Sequence, residues 1–159
     1  MAISVGDKIP DVKLMLATPE GPVPVSSASH FAGKTVALFA VPGAYTPTCS
    51  VKHLPGYVEK ADELKAKGVD EIAVTAVNDA FVMGAWNRDQ GSGDITVLAD
   101  GNGDFAEALG LTMDASGFGM GKRSQRYSMI VKDGEVTHLN VEEPGDFSVS
   151  GAETLLGQL

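Results

Sequence analysis

The 159-residue sequence predicts an α/β protein whose mixed β-sheet is flanked by helices. Two observations predict this class. Apolar, β-rich runs alternate with amphipathic helical stretches, and a β-hairpin and a short helix then close the chain. The 43% hydrophobic content, with no internal repeat or linker-like segment, fits one globular domain over residues 1–159.

The first convincing strand is the apolar run at residues 35–41, Thr-Val-Ala-Leu-Phe-Ala-Val. Gly33 lies just before this run, and Pro42-Gly43 end it. A continuous apolar run bounded by such residues is typical of a strand that is buried on both faces of a sheet.

An amphipathic helix is predicted at residues 56–67. It places Tyr57, Ala61 and Leu64 on one face, and Gly68 ends it. Similar patterns predict a strand at 71–77, a helix at 80–89 that carries Phe81 and Trp86, a strand at 95–98, and a helix at 105–109 that Gly110 stops.

The C-terminal third is predicted to begin with a mobile, glycine-rich loop at residues 113–121. Strands at 127–131 and 135–141 then form a hairpin with Asp133-Gly134 in its turn. Ser150, with Glu153 three residues later, indicates a capping box that opens the last helix. This order of elements makes the thioredoxin-like fold the leading choice.

Composition argues against several classes of function. Twenty-one acidic and twelve basic residues give a net charge of −9, and no cluster of Lys and Arg could neutralise a nucleic-acid backbone. No apolar stretch approaches the ~20 residues needed to cross a membrane, and the first residues lack the pattern of a signal peptide. The single cysteine excludes an intrachain disulfide, so a reducing, cytoplasmic location is expected.

That cysteine, Cys49, lies between the most convincing strand and the first convincing helix. A lone cysteine is most often a small buried apolar residue. Here, however, the carboxyl end of a strand is where open α/β sheets place ligands. The first turn of a helix also offers free N–H groups and the positive end of the helix dipole, which favour a thiolate.

A threonine and two prolines strengthen the case for chemistry at Cys49. Thr46, three residues earlier, could hydrogen-bond a thiolate or a bound peroxide, although a loop threonine more commonly caps the backbone. Pro42 and Pro47 stiffen the approach to the cysteine, and Pro42 could shield the sulfur from water. None of these features is decisive alone.

Residues 41–50, Val-Pro-Gly-Ala-Tyr-Thr-Pro-Thr-Cys-Ser, resemble the peroxiredoxin signature Pro-x-x-x-Thr-x-x-Cys in its peroxiredoxin 5 (type II) form. The resemblance extends over nearly the whole chain. It includes Val5-Gly-Asp-Lys-Ile-Pro10, His53-Leu-Pro-Gly56, Val77-Asn-Asp79 and Arg126-Tyr-Ser-Met129. Several motifs in the right order are far more specific than one short pattern.

The resemblance implies a thiol-dependent peroxidase that protects against peroxides and maintains redox homeostasis. In that enzyme Cys49 is the peroxidatic nucleophile, Thr46 and Pro42 complete the pocket, and Arg126 is the active-site arginine. A guanidinium stays charged and offers fixed donors to both the thiolate and the peroxide. Arg123 is the alternative to Arg126. The resemblance indicates hydrogen peroxide and alkyl hydroperoxides as substrates, without a preference between them.

His53, four residues after Cys49, leaves two interpretations open. A protease-like Cys/His dyad is one, and a structural histidine is favoured because no orienting Asn or Asp is evident. One cysteine with three scattered histidines gives no metal-ligand spacing, so neither a metal nor a bound cofactor is predicted.

After peroxide reduction the cysteine sulfenic acid needs a second thiol. Where some relatives carry a second cysteine, this chain has Val74 and Val149, so an external reductant is expected: glutathione, glutaredoxin or thioredoxin. The resemblance also suggests a homodimer that packs through loops around the active site, with contacts from Tyr45, Phe81, Phe118 and Met120.

Two other functions remain open at this level. A peroxide sensor or relay would pass the oxidation of Cys49 to a client protein and needs the same reactive thiolate. A catalytically silent binding module of the same fold is the least favoured, because Pro42, Thr46, Cys49 and Arg126 occur together.

Overall fold

The computed structural model describes residues 2–92 and 94–159. Nine strands and five α-helices lie within those residues. The strands are β1 Lys13–Thr18, β2 Gly21–Ser26, β3 Thr35–Ala40, β4 Glu71–Ala76, β5 Thr96–Ala99, β6 Thr112–Asp114, β7 Lys122–Ser124, β8 Tyr127–Lys132 and β9 Glu135–Val141. The helices are α1 Ser27–Phe31, α2 Leu54–Ala66, α3 Ala80–Asp89, α4 Asp104–Leu109 and α5 Ala152–Gln158.

Seven of the described strands form one sheet in the order β2-β1-β5-β4-β3-β8-β9. Strands β3, β4 and β5 are parallel to one another, and the remaining pairs are antiparallel. The predicted mixed sheet is therefore confirmed. The interior strand β3 is buried from Val36 to Ala40, as its uninterrupted apolar sequence predicts.

The core has one apolar cluster on each face of the sheet. Tyr57, Trp86 and Leu155 of helices α2, α3 and α5 contribute to the cluster that also contains Cys49. Phe31 and Phe105 of helices α1 and α4 contribute to the opposite cluster. Helices thus flank the sheet on both sides, in the predicted thioredoxin-like arrangement.

Local sequence signals predict several elements closely. Helix α2 is followed by Gly68, whose φ of +103° suits glycine. Helix α3 spans the predicted residues. In the β8–β9 hairpin, Asp133 and Gly134 both have positive φ values, 49° and 79°, as a tight two-residue turn requires.

Two predicted features are wrong. Residues 113–121 do not form one continuous loop, because β6 pairs with β7 across a short 3₁₀ turn at Ser116–Phe118. Ser150 is not the N-cap of the last helix: Gly151 occupies that position without a side-chain cap, and the Ser150 hydroxyl donates to Glu142 instead.

The β1–β2 hairpin escaped sequence prediction, and it forms one edge of the large sheet. Its outer strand carries Pro22 and Pro24. At the other edge, part of β9 pairs with the N-terminal segment, since Gly6 N donates to Val136 O and Ile9 N donates to Gly134 O. In the described residues, the helices are all too short or too polar to cross a membrane.

Candidate active site

Cys49 lies beyond the carboxyl end of β3 and opens a π-helical turn, Cys49–His53, that leads into α2. Single π-turns inside helices are frequent at functional sites. The cysteine side chain is fully buried within the core cluster beneath α2 and α3. A polar group placed there needs a defined partner.

Arg126 supplies that partner. It directly precedes β8, which pairs with β3 along its length, so the arginine reaches the end of the sheet at which Cys49 lies. Its Nη2 donates a hydrogen bond to Cys49 Sγ over 3.0 Å. A guanidinium at this distance gives the sulfur a charged hydrogen-bond donor.

The alternative arginine, Arg123, lies elsewhere. Its Nε donates to Met120 O and its Nη1 to Val77 O, at 2.9 and 3.2 Å. Arg123 therefore holds loop carbonyls together, whereas Arg126 contacts the sulfur.

His53 holds the second arm of the Arg126 guanidinium. Arg126 Nη1 lies 2.8 Å from His53 Nδ1, and His53 Nε2 lies 3.0 Å from Ser150 O. Because a guanidinium can only donate and a carbonyl can only accept, the ring is neutral with its proton on Nε2. Burial, together with the charge of Arg126, lowers the pKa of His53 to about 3.

Both ring nitrogens of His53 are therefore occupied by partners other than Cys49. The favoured interpretation of a structural histidine agrees with this geometry, and the histidine is fully buried. The Cys/His dyad does not form in the structure.

Aromatic rings pack around this buried polar group. Phe39 and Tyr57 stack at a centroid distance of 4.0 Å, and the Phe147 ring lies 4.9 Å from that of His53. The Arg126 guanidinium carbon lies 5.8 Å from the centroid of Phe147, within the range of a cation–π contact. These rings limit access of water to the arginine and the histidine.

Polar contacts also fix the loop before Cys49. Ala44 N donates to Asn78 Oδ1 at 2.9 Å. Trp86 Nε1 donates to Ser50 Oγ at 2.9 Å, and Tyr45 OH donates to Asp89 at 2.6 Å. Because Trp86 and Asp89 belong to α3, that helix holds the active-site loop on both sides of Thr46.

Thr46 and Pro42 lie in this loop, and both are half-buried. The Thr46 hydroxyl donates to Gly43 O at 2.7 Å, which is the backbone-capping role common for loop threonines. Its oxygen still carries lone pairs that could accept a hydrogen bond. The proposed roles of Thr46 and Pro42 toward peroxide remain predictions.

The residues predicted to form dimer contacts differ in exposure. Phe118, Phe81 and Tyr45 are 85%, 73% and 51% exposed, and Met120 is half-buried. Val74 is buried in β4, whereas Val149 is exposed beside Ser150.

Sequence reasoning missed Glu142, Phe147 and Ser150. Glu142 follows β9, and its carboxylate accepts from the backbone N–H groups of Ser148, Val149 and Ser150. A Gly-Asp-Phe-Ser-Val-Ser segment after a strand carries a weak loop signal, but no spacing rule links it to His53. Within residues 2–92 and 94–159, no three His, Cys, Asp or Glu side chains gather as metal ligands.

Comparison with known proteins gives a consistent result. The Redoxin family model matches residues 4–156. "Peroxiredoxin-2E-2, chloroplastic" from Oryza sativa subsp. japonica is 52% identical over 163 aligned positions, covering 99% of this chain and 72% of that protein. "Peroxiredoxin-2B" from Arabidopsis thaliana is 46% identical, covering 99% of this chain and 98% of that protein.

Among solved structures, reduced Prx3 from Vibrio vulnificus in complex with H₂O₂ superposes with a TM-score of 0.95 at 56% identity. The match covers 98% of each chain. The similarity thus includes the entire strand–loop–helix region around Cys49.

Proposed function

Because this chain belongs to the Redoxin family as a peroxiredoxin of the type II group, a thiol-dependent peroxidase, we propose that Cys49 is its peroxidatic nucleophile. The observation that carries this assignment is the 3.0 Å hydrogen bond from Arg126 Nη2 to a fully buried Cys49 Sγ. Substrate and reductant follow at the level of the family: a hydroperoxide and a thiol, with no prosthetic group.

The proposed first step is a displacement on oxygen. The Cys49 thiolate attacks one oxygen of the hydroperoxide, forming an S–O bond while the O–O bond breaks. The sulfur loses two electrons and becomes a sulfenic acid, and the departing oxygen takes up a proton to leave as water or an alcohol. Negative charge grows on that departing oxygen, where preset donors are most effective.

Arg126 acts on both partners of this displacement. One arm of its guanidinium donates to the Cys49 sulfur, and its further N–H groups are proposed to donate to the peroxide oxygens. The neutral His53 stabilises the orientation of the guanidinium by accepting from Nη1. With the ring neutral, the site keeps one positive charge close to the sulfur.

Thr46 and Pro42 are proposed to shape the peroxide pocket. The Thr46 proton is directed to Gly43 O, so its oxygen is an acceptor for the O–H of a peroxide. Pro42 has no N–H of its own and covers the approach to the sulfur. Replacing Thr46 by Val should weaken peroxide reactivity, whereas Ser should retain most of it.

An external thiol is proposed to complete the cycle, because the chain has one cysteine. A thiol condenses with the sulfenic acid, giving a mixed disulfide and water, and a second thiol then releases the reduced Cys49. Glutathione with glutaredoxin, or thioredoxin, would serve. Since Cys49 is fully buried, the π-turn at Cys49–His53 must open to admit a thiol.

A homodimer is proposed through the loops around this site, where Tyr45, Phe81 and Phe118 are exposed. Aromatic side chains are enriched in protein interfaces. We further propose that residues 1–159 act as one domain, since β1 and β9 belong to the same sheet. A reducing, cytoplasmic location suits an enzyme that needs thiol reductants.

Stopped-flow measurement of the reduced protein with hydrogen peroxide tests the assignment. We expect rapid oxidation of Cys49, none in the Cys49→Ser variant, and sustained turnover with one of the thiol reductants. Intact-mass analysis with glutathione should show one adduct, at Cys49. An unmodified thiol after peroxide treatment would refute the assignment, and a single burst without turnover would favour the sensor or relay.

A further inference from the structure

Glu142 is a buried carboxylate that the proposed chemistry does not use. It lies just after β9, level with Arg126 just before β8, because Tyr127 pairs with Val141 in the hairpin. Its own N–H donates to Arg126 O over 3.0 Å. The backbone of Glu142 therefore holds the backbone of the active-site arginine.

The Glu142 side chain points to a different segment, residues 148–150. Its Oε2 accepts from the N–H groups of Ser148, Val149 and Ser150, each at 2.8 Å, and from the Ser150 hydroxyl at 2.7 Å. Burial opposes the charge, yet these donors hold the pKa of Glu142 at about 2, so the group is an anion at neutral pH. Four donors to one oxygen fix this segment firmly.

Fixing residues 148–150 orients one carbonyl toward the active site. Ser150 O accepts from His53 Nε2 at 3.0 Å and from Tyr57 OH at 2.9 Å. Through His53, this carbonyl sets the ring whose Nδ1 receives Arg126 Nη1. The hydrogen bonds thus form a closed ring that starts at the Arg126 backbone and returns to the Arg126 guanidinium.

We infer that Glu142 is a positioning residue for the peroxidase reaction, acting on Arg126 through Ser150 and His53. Among the described residues, no ion pair joins Glu142 directly to an arginine. The carboxylate is instead stabilised as an anion by three backbone N–H groups and the Ser150 hydroxyl. The inference rests on the proposed role of Arg126.

The alternative is that Glu142 only anchors the C-terminal segment to the sheet. The two ideas differ in one respect. A purely structural anchor lowers stability and leaves the chemistry of Cys49 independent of Glu142. A positioning residue changes the peroxide reaction, and only while Arg126 is present to be positioned.

The test compares Glu142→Gln with Glu143→Gln, an exposed neighbour whose carboxylate makes no hydrogen bond or ion pair in the described residues. Glutamine has nearly the same shape but carries no charge, and its NH₂ group cannot accept the Ser148 N–H and hydroxyl that donate to Oε1. In the full-length reduced protein we expect Glu142→Gln to slow oxidation of Cys49 by about 10- to 100-fold, the scale of a displacement of about 1 Å at a reacting group. Glu143→Gln should match the wild type.

The decisive readout is the same substitution in an Arg126→Gln background. We expect Glu142→Gln to add less than about twofold there, because the guanidinium that it positions is gone. The same fold-loss in both backgrounds, or a folded Glu142→Gln protein that reacts at the wild-type rate, would overturn the inference. If Arg126→Gln itself has no effect, the proposed function fails first.

If Glu142→Gln does not fold, Ser150→Ala and Tyr57→Phe carry the test. The first removes one donor to Glu142, and the second removes the other donor to the Ser150 carbonyl. We expect each to slow peroxide oxidation measurably when Arg126 is present and not when it is Gln. Unchanged rates in both variants would overturn the inference.

Discussion

Two histidines near opposite ends of β3 show how a partner decides what an imidazole does. His30 Nε2 lies 2.6 Å from a Glu71 carboxylate oxygen, and Lys34 Nζ lies 2.9 Å from the other. His53, beyond the carboxyl end of the strand, lies between Arg126 and the Ser150 carbonyl. The first ring donates to an anion, and the second also accepts from a cation.

The His30 cluster joins side chains far from Cys49, whereas the His53 cluster includes the arginine that contacts Cys49. The contact of His30 with Glu71 needs only a donor nitrogen on the ring, because a carboxylate accepts. The contact of His53 with Arg126 needs an acceptor at Nδ1, and protonation would convert that acceptor into a donor facing a cation. The His53 cluster therefore depends on a neutral ring.

The largest effect on the peroxide reaction should follow removal of the Arg126 guanidinium, which His53 orients. Arg126→Gln is expected to slow the peroxide oxidation of Cys49 by about 10²–10³-fold, the usual cost of losing one preset donor at a developing oxyanion. Arg126→Lys should recover only part of the rate, because an ammonium lacks the planar pair of donors. Stopped-flow kinetics would measure both.

Lys34→Gln, in the His30 cluster, is the matched control and should react at the wild-type rate. A wild-type rate in Arg126→Gln would show that the His53–Arg126 cluster contributes no more to the peroxide reaction than the His30 cluster does.

Acid should destabilise the His53 region next most strongly. The fold lowers the pKa of His53 from its usual 6.5 to about 3, so the unfolded chain binds a proton that the folded chain rejects between these values. Stability therefore rises with pH across this window and is lost as the pH falls through it, by up to ~5 kcal/mol. Glu142 acts in the same direction at lower pH.

Urea unfolding at a series of pH values would measure this loss. In His53→Gln the slope between about pH 6.5 and 4.5 should flatten, while the steeper loss below it, from carboxylates such as Glu142 and Glu71, should remain. An identical slope in the wild type and in His53→Gln would contradict the assignment of a neutral buried ring.

His53→Gln should also slow the reaction at neutral pH, by about tenfold. The glutamine amide can still donate to Ser150 O, but it offers no acceptor where Nδ1 meets Arg126 Nη1. Arg126 Nη1 then loses this hydrogen-bond acceptor in a partly buried position, which should cost about 1–3 kcal/mol of stabilisation of the guanidinium orientation. The test is the peroxide rate constant of a folded variant, and an unchanged rate would show that Arg126 needs no support from the ring.

The smallest effect should come from His30→Gln. The ring is partly exposed, so losing its contact with Glu71 should cost about 0.5–1 kcal/mol. Burial alone would raise the pKa of Glu71, but hydrogen bonds from His30 and Lys34 hold that pKa below its usual value. This carboxylate therefore stabilises the fold at neutral pH, and the stabilisation is lost in acid as the carboxylate is protonated.

Thermal unfolding should reveal that small loss at neutral pH, and the peroxide rate should not change. A slower reaction in His30→Gln would show that the two ends of β3 are coupled.

The sequence allowed close prediction where the signal was local. The apolar run of β3, the glycine after α2 and the Asp133-Gly134 turn each satisfy a rule that involves only neighbouring residues. The β1–β2 hairpin was missed because prolines interrupt the alternation expected of a strand. Ser150 was misassigned because its hydroxyl serves a distant carboxylate rather than its own helix.

The active site divides in the same way. Cys49 and Arg126 were predicted from motifs that resemble a known family, and in the structure they meet. The contact between His53 and Ser150 joins residues 97 positions apart, and no pattern in the chain indicates it. Such long-range hydrogen bonds depend on how β8, β9 and the last segment fold together.

The two edges of the large sheet set a limit on how copies of the chain can associate. Strand β2 pairs inward with β1, and Pro22 and Pro24 leave it without N–H groups at alternate positions. Strand β9 is already engaged in part by the N-terminal segment. Both features discourage the edge strands of two molecules from pairing, and they discourage the aggregation to which unprotected edge strands lead. Contacts between copies of this protein would therefore have to use its helices or loops rather than these strand edges.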